Sequence, residues 1–380
     1  MKREDKYVVY IAAVCAGAKN KWEGMNEMKG MKKAVFLLLM CGVFAALLTG
    51  CGGGGQKAAK KELKVYNWGD YIDPEILKSF EKETGIHVVY DTYATNEDMY
   101  VKVKAGGSDY DVVIPSDYMI SRLIRDGLVE KLDFSKIPNY AKIDKKYKNL
   151  DFDPKGEYSV PYMWGTVGIA YNKKMVTEPV DSWGILWDKK YEKQIFMLDS
   201  PRDSIGVTLK YLGYSLNTGN EAELAEAGKK LVEQKPLVLA YLVDEAKDKM
   251  IAGEGALAVV WSGDAMFMIE KNKDLAYAIP KEGTNLWVDA MVILKGTKHR
   301  AEAEEFINYM TRPDVALKNV EYIGYASPIP EVVAKLSEDV RKNIAAYPDD
   351  ALLKDAEVFS DLAENMPKYD KVWTEVKVAQ

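Results

Sequence analysis

LKVYNWGDYIDPEILKSFEKETGIHVVY, residues 63–90, decides the fold. Leu63 to Tyr66 is a short β-rich run, and Asp73-Pro74 then offers an N-cap followed by a proline whose fixed φ suits a first helical turn. Ile76, Leu77 and Phe80 make the buried stripe of that helix, Gly85 closes it, and Ile86 to Tyr90 is β-rich again. The pattern then continues. A helix is predicted from about Asn96 to Gly106-Gly107, a strand over Tyr110–Ile114, and a helix capped by Ser116 and running to Gly127. Strand and helix in strict alternation predict an α/β fold, with a mainly parallel sheet and right-handed crossovers.

Further along, Ser159 to Asn172 is extended and aromatic and breaks the alternation, as a passage between two lobes would. A second α/β set follows: a strand near Ile195–Leu198, helices around Asp203–Tyr211 and Glu221–Glu233, another helix ending at Gly253, and a strand over Leu257–Trp261. Met291 to Leu294 is strand-like and the remainder mostly helical. A chain of 380 residues, 48% hydrophobic and 29% charged, holds enough apolar material for two such cores.

The N-terminus reads separately. Lys32 and Lys33 precede an uncharged apolar run, Ala34 to Leu48, too short for a comfortable membrane span, and Leu48-Thr49-Gly50-Cys51 follows. A basic flank, a short apolar run and small residues describe a secretory signal over residues 1–50, with Met31 expected as its start and residues 1–30 as an over-extension. The ending resembles a bacterial lipobox, which implies acylation of Cys51, and Gly52 to Gly55 with the lysines beyond read as a flexible tether over 51–61. Residues 1–50 carry eight Lys or Arg against four Asp or Glu, so the formal charge of −6 becomes about −10 once they are removed. Such a protein suits a cationic ligand better than nucleic acid. Cys15 and Cys41 fall in the leader, which leaves Cys51 alone and precludes both an internal disulfide and a cysteine metal site.

Catalysis requires a nucleophile, an acid–base pair or a metal. His87 sits within a strand run and His299 in a Lys/Arg-rich loop, neither beside a nucleophile, and no serine-elbow, zinc-protease or P-loop motif occurs. Gly253-Glu254-Gly255-Ala256 mimics a dinucleotide fingerprint but runs from helix into strand, the reverse of what a phosphate-binding turn needs. No enzyme, cofactor or metal is expected. What recurs is an aromatic residue beside a carboxylate: Trp68-Gly69-Asp70-Tyr71, Ser116-Asp117-Tyr118, Trp261-Ser262-Gly263-Asp264 and Trp287-Val288-Asp289, with Ile323-Gly324-Tyr325 as a fifth aromatic site. The first four are expected at the carboxyl ends of strands, where open α/β sheets bind ligands. A thin α,ω-diamine needs a carboxylate for each desolvated ammonium and flat apolar walls for its methylenes. For any one tryptophan, core packing explains the residue equally well, and for Asp70 or Asp264 alone a turn or helix cap does. Their recurrence carries the argument.

From Leu63 to about Pro330 the chain resembles the bacterial spermidine/putrescine-binding lipoproteins of ABC importers. The segments that carry the likeness are Tyr66 to Ile72, Phe80 to Ile86, Tyr110 to Ser116, Pro161 to Gly165, Trp261-Ser262-Gly263, Trp287-Val288-Asp289 and Arg312 to Ala316. The resemblance implies a two-lobed periplasmic-binding-protein-like fold of type II, with two crossovers and the ligand between the lobes. It implies lobe 1 over 62–163 and 289–330, lobe 2 over 164–288, and C-terminal helices over 331–380 packing across both. By the same likeness Trp68, Tyr71, Tyr118, Trp261, Trp287 and Tyr325 form an aromatic box. Asp289 grips a buried ammonium, Asp70 and Asp203 take an amino group elsewhere along the cleft, Ser116 gives a hydroxyl, and Asp264 matches an acid of putrescine-preferring members. Gly69 stands where members often carry Ser or Thr, Ser200, Val243 and Phe359 depart from the spermidine-preferring pattern, and Asp203 stands where those members carry Glu; the pattern is mixed and inclines slightly to the shorter diamine. The implied partners are a polyamine, the permease subunits and, through Cys51, the outer face of the cell membrane, with the protein a monomer. The competing expectations are a binding protein for an amino acid, sugar or ferric iron, and a polyamine sensor lipoprotein. An amino acid would call for an arginine at the site, for which Arg202 is the candidate.

Overall fold

The computed structural model describes residues 61–106 and 109–379. The expected leader and the acylation motif at Cys51 lie outside them, as does Gly107, where the second helix was expected to end. In chain order the first elements are β1 (Lys61–Trp68), α1 (Pro74–Thr84), β2 (Ile86–Tyr93), α2 (Asn96–Lys104), β3 (Val112–Val113) and α3 (Asp117–Arg125). The long strand β4 (Ser159–Asn172) follows, then β5 (Ile195–Leu198), α4 (Pro201–Tyr211), α5 (Glu221–Gln234), β6 (Val238–Leu242), α6 (Glu245–Ile251), β7 (Leu257–Trp261), α7 (Ser262–Lys271) and β8 (Leu275–Ala278). The chain then returns through β9 (Leu286–Ile293) and ends in α8 (Arg300–Met310), α9 (Pro313–Ile323), α10 (Pro330–Lys335), α11 (Glu338–Arg341) and α12 (Met366–Val378).

Local chemistry sets these limits. The Asp73 carboxylate accepts from the Glu75 amide at 2.9 Å, Pro74 fills the first helical position, and α1 closes at Gly85 with φ +74°. Phe80, fully buried on α1, meets Phe306 and Tyr309 edge-on at 5.3 and 5.1 Å, a burial that contributes about 2–3 kcal/mol.

Among the described residues the strands order as β2-β1-β3-β9-β4-β7-β5-β6, with β8 also on β4. The parallel pairs are β1–β2, β1–β3, β5–β6 and β5–β7, and every pair involving β4 or β9 is antiparallel. The sheet is therefore mixed rather than mainly parallel. The reason is connectivity: β4 and β9 carry the chain between the two α/β halves and run against the strands they join. The first half of β4 pairs with β9 and the second half with β7 and β8, so this one strand belongs to both lobes. Residues 279–285 lead from β8 into β9, and residues 284–286 are tied to Glu357 by the bonds Glu357 N to Thr284 O and Leu286 N to Glu357 O, both 2.9 Å. Helix α12 packs on α4 and α5.

The carboxyl ends of β1, β3, β5, β6 and β7 release residues 68–71, 116–118, 200–203, 244–247 and 261–264 respectively. One expectation is corrected here. Trp287 and Asp289 lie in the first half of β9, not beyond a strand's carboxyl end. Because β9 runs antiparallel to β3, its beginning lies beside the end of β3, and Asp289 pairs across an isolated bridge with Ser116.

Candidate functional site

All eleven residues singled out from the sequence line one cavity of about 760 Å³: Trp68, Asp70, Tyr71, Ser116, Tyr118, Asp203, Trp261, Asp264, Trp287, Asp289 and Tyr325. It opens between the halves, since its walls come from strand ends of both.

The aromatic walls are fixed by their polar edges. Trp68 donates its Nε1–H to Ile114 O at 2.9 Å and leans on Tyr93 with centroids 4.7 Å apart. Tyr71, Tyr325 and Trp287 form a run of edge-to-face contacts at 5.3 and 5.2 Å. Tyr325 reaches this place only because residue 263 is glycine: a Cβ there would lie 2.4 Å from the ring. Tyr71 is held through its backbone, where Tyr162 donates to Tyr71 O at 2.6 Å while Asn319 supports the Tyr162 hydroxyl at 2.6 Å. The Tyr118 hydroxyl accepts from Asn96 Nδ2 at 3.1 Å and donates to Glu97 at 2.9 Å. Phe359 closes this side, edge-on to Tyr118.

The carboxylates differ in how they are satisfied. Asp289 is 5% exposed and its Oδ1 has no partner; burial pushes its carboxyl up to about 7, with the Ser116 and Tyr71 hydroxyls opposing the rise. Beside it the indole N–H of Trp287 is also buried and unpartnered. Asp203 accepts from Ser200 Oγ at 2.6 Å through one oxygen and leaves the other bare, and burial raises it to about 6. Asp264 is likewise raised to about 6 by burial, against the pull of Lys247 at 3.5 Å, and accepts from Tyr325 at 3.3 Å. Asp70 is exposed and pairs with Lys247 at 3.2 Å. Native interiors seldom leave such groups unmade, because each bare oxygen costs about 1–3 kcal/mol. Here the bare groups, the acceptor oxygens of Asp289 and Asp203 and the donor N–H of Trp287, belong to residues that line one cavity.

Several lining residues escaped the sequence reading. Asp117, fully buried, accepts from the amides of Tyr118 at 2.7 Å and Val288 at 3.1 Å and so locks α3 against the start of β9. Its motif had been noted, but its own part had no sequence signal. Glu97 and Asn96 belong to the first turn of α2, Asp244 and Lys247 to the start of α6, and all four face the cavity. Arg202 lines it too, yet its Nη atoms go to Asn217 Oδ1 at 3.0 Å and Ser360 O at 3.2 Å, and its guanidinium lies 4.2 Å over Phe359. Through its Nη atoms it fastens the segment around Phe359, while its Nε is buried without a partner. His87 pairs with Glu81 at 2.9 Å and His299 stands 3.4 Å from Asp111, neither in the cavity. Among the described residues no group of His, Cys, Asp and Glu is placed to hold a metal ion.

A family model described as bacterial extracellular solute-binding protein matches residues 75–348. This chain belongs to that family. The spermidine/putrescine-binding periplasmic protein of Salmonella typhimurium is 34% identical over 322 residues, 84% of this chain and 92% of its own. Among solved structures, the spermidine/putrescine ABC transporter substrate-binding protein PotD from Streptococcus pneumoniae is 42% identical with a TM-score of 0.74, covering 84% of this chain and 99% of its own. The Tp0655 (TpPotD) lipoprotein of Treponema pallidum is 32% identical with a TM-score of 0.77, covering 83% and 99%. The two lobes, the paired crossovers and the cleft between them are thus those of a solute-binding protein, in which ligand contacts from both halves favour the closed form.

Proposed function

We propose that this solute-binding protein captures a small linear polyamine, putrescine or spermidine, outside the cytoplasm and delivers it to the permease of an ABC importer without chemical change. One observation carries the reading. Two buried carboxylates with unmade hydrogen bonds, Asp289 and Asp203, share a cavity walled by the rings of Trp68, Tyr71, Trp261, Trp287 and Tyr325. An ammonium entering that space loses water and regains a carboxylate, while a ring face adds roughly 0.5–2 kcal/mol and the methylenes lie along apolar walls. The polyamine names of the similar proteins support the same choice. In this reading Asp289 holds one ammonium, Asp203 serves a position elsewhere along the cleft, and Ser116 contributes a hydroxyl, while Asp70 is paired with Lys247. Acylation of Cys51 would keep the protein, as a monomer, at the outer face of the membrane near its permease.

The test is a thermal-shift panel of putrescine, spermidine, spermine, cadaverine, agmatine and free amino acids. A ligand at a hundredfold excess over its Kd stabilises the native form by about 2.7 kcal/mol. Diamines and triamines are expected to raise the melting point. A rise with amino acids alone, or with none of the panel, overturns the reading.

A further inference from the structure

The Lys247 ammonium lies inside the cleft. Its side chain is 14% exposed, and its Nζ stands 3.2 Å from Asp70, 3.5 Å from Asp244 and 3.5 Å from Asp264. These acids come from different places: Asp70 from the turn after β1, Asp244 from just before α6, Asp264 from the first turn of α7. The turn after β1 approaches closely, since a Cβ on Gly69 would lie 3.7 Å from Asp244 Oδ2. Burial works against the charge on Lys247, but Asp264, Asp244 and Asp70 together hold its pKa above the ordinary lysine value. The lysine is therefore charged throughout the physiological range and already compensates the acids at this end. Elsewhere in the cavity, by contrast, Asp289 Oδ1 and Asp203 Oδ1 are buried and bare.

We propose that Lys247 is a specificity-determining residue: its ammonium fills the cationic position among Asp70, Asp244 and Asp264, so the cleft accepts a ligand with two ammonium groups and disfavours one with a third. The proposal rests on the polyamine reading above. A third ammonium directed towards Asp264 meets a like charge whose departure would leave the buried Asp264 without its cation, Asp70 and Asp244 being exposed to solvent. A diamine that uses the bare carboxylates of Asp289 and Asp203 avoids the conflict. Nothing in the sequence around Lys247 announces this, because only folding brings α6 against the turn that carries Asp70.

Titration calorimetry of the native protein, Lys247→Gln and Lys247→Arg with putrescine and spermidine tests it. The native protein is expected to bind putrescine more tightly. Lys247→Gln, with the three acids released, is expected to shift the ratio of spermidine to putrescine affinity upward at least tenfold, and Lys247→Arg, which keeps the charge, to hold the ratio near the native one. A ratio unchanged or lowered in Lys247→Gln, with binding of either polyamine retained, overturns the proposal and leaves the polyamine reading standing. A native protein that binds neither polyamine overturns both. Should Lys247→Gln fail to fold, Lys247→Arg alone decides: a tenfold change in its ratio contradicts a role that depends on charge.

Discussion

At position 289 a carboxylate is 5% exposed, with one oxygen unpartnered and a carboxyl pushed up to about 7 by burial. In the empty cleft this group destabilises the fold, because a bare buried acid costs free energy in either protonation state. An ammonium reverses the balance, since it meets an acid that has already lost its water. Asp289→Asn separates the two effects. The amide removes the charge at almost constant shape, so putrescine and spermidine binding are expected to weaken by about 2–5 kcal/mol in titration calorimetry, the usual cost of leaving one member of a buried charged pair alone. The ligand-free variant is expected to melt no lower than the native protein at pH 8, because the desolvated charge is gone. Unchanged polyamine affinity would remove Asp289 from the site. Asp203, with one oxygen on Ser200 and one bare, follows the same logic with a smaller effect, as half of its hydrogen bonding is already supplied from within.

Among the elements, α1 shows how a helix end positions the site. Its cap, Asp73, accepts from Glu75 N, pairs with Lys318 at 3.2 Å and donates its own amide N–H to Asn319 Oδ1 at 2.9 Å. The same Asn319 supports Tyr162, which holds the backbone of Tyr71. Asp73→Ala is therefore expected to lower stability by about 1–2 kcal/mol in urea unfolding and, through the loosened turn, to weaken ligand binding less than Asp289→Asn does. A ligand-binding loss larger than that of Asp289→Asn would mean that Asp73 acts on the ligand itself. This element was legible in advance: Asp73, Pro74 and Gly85 act locally, so their meaning survives without tertiary context. β4, β5 and β7 were equally plain, because their apolar β-branched and aromatic runs end sharply. β6 and β8 passed unnoticed, as Val238–Leu242 and Leu275–Ala278 are short strands with weak flanking signals. β9 was placed too late because Asp289 interrupts its apolar run, and a charge inside a strand makes sense only once the cavity beside it is known. Every predicted site residue reached the cavity: aromatic–acid runs such as Trp68 to Tyr71 and Trp261 to Asp264 are a local signal, whereas Asp203 came only through the family resemblance. Lys247, Asp117 and Glu97 did not declare themselves, because their parts depend on which elements fold against them.

Taken over the whole molecule, the buried acids tie folding, binding and pH together. In the empty protein Asp289 is raised to about 7 and Asp203 and Asp264 to about 6, whereas aspartates in an unfolded chain titrate near ~3.9. Burial also raises Asp117, at the same cavity, to about 8. Between those values the native state holds more protons than the unfolded state, so the sign is fixed: stability of the ligand-free protein falls as pH rises from about 4 through about 8. A polyamine reverses this. Alkylammonium groups remain charged over the whole window, and their presence favours the ionised acids, so binding near pH 6 must release protons and affinity must increase with pH until the acids have ionised. The melting-point rise given by a fixed excess of putrescine is accordingly expected to be larger at pH 8 than at pH 5.5. Calorimetric titrations at pH 6 in buffers of different ionisation enthalpy are expected to report net proton release. In Asp289→Asn part of that release disappears, which assigns it to the carboxylate beside Trp287. An equal thermal shift at the two pH values, with no buffer dependence of the enthalpy, would show that the ligand's charges settle away from Asp289 and Asp203. The coupling of the two lobes to the ligand would then have to run through the aromatic walls alone.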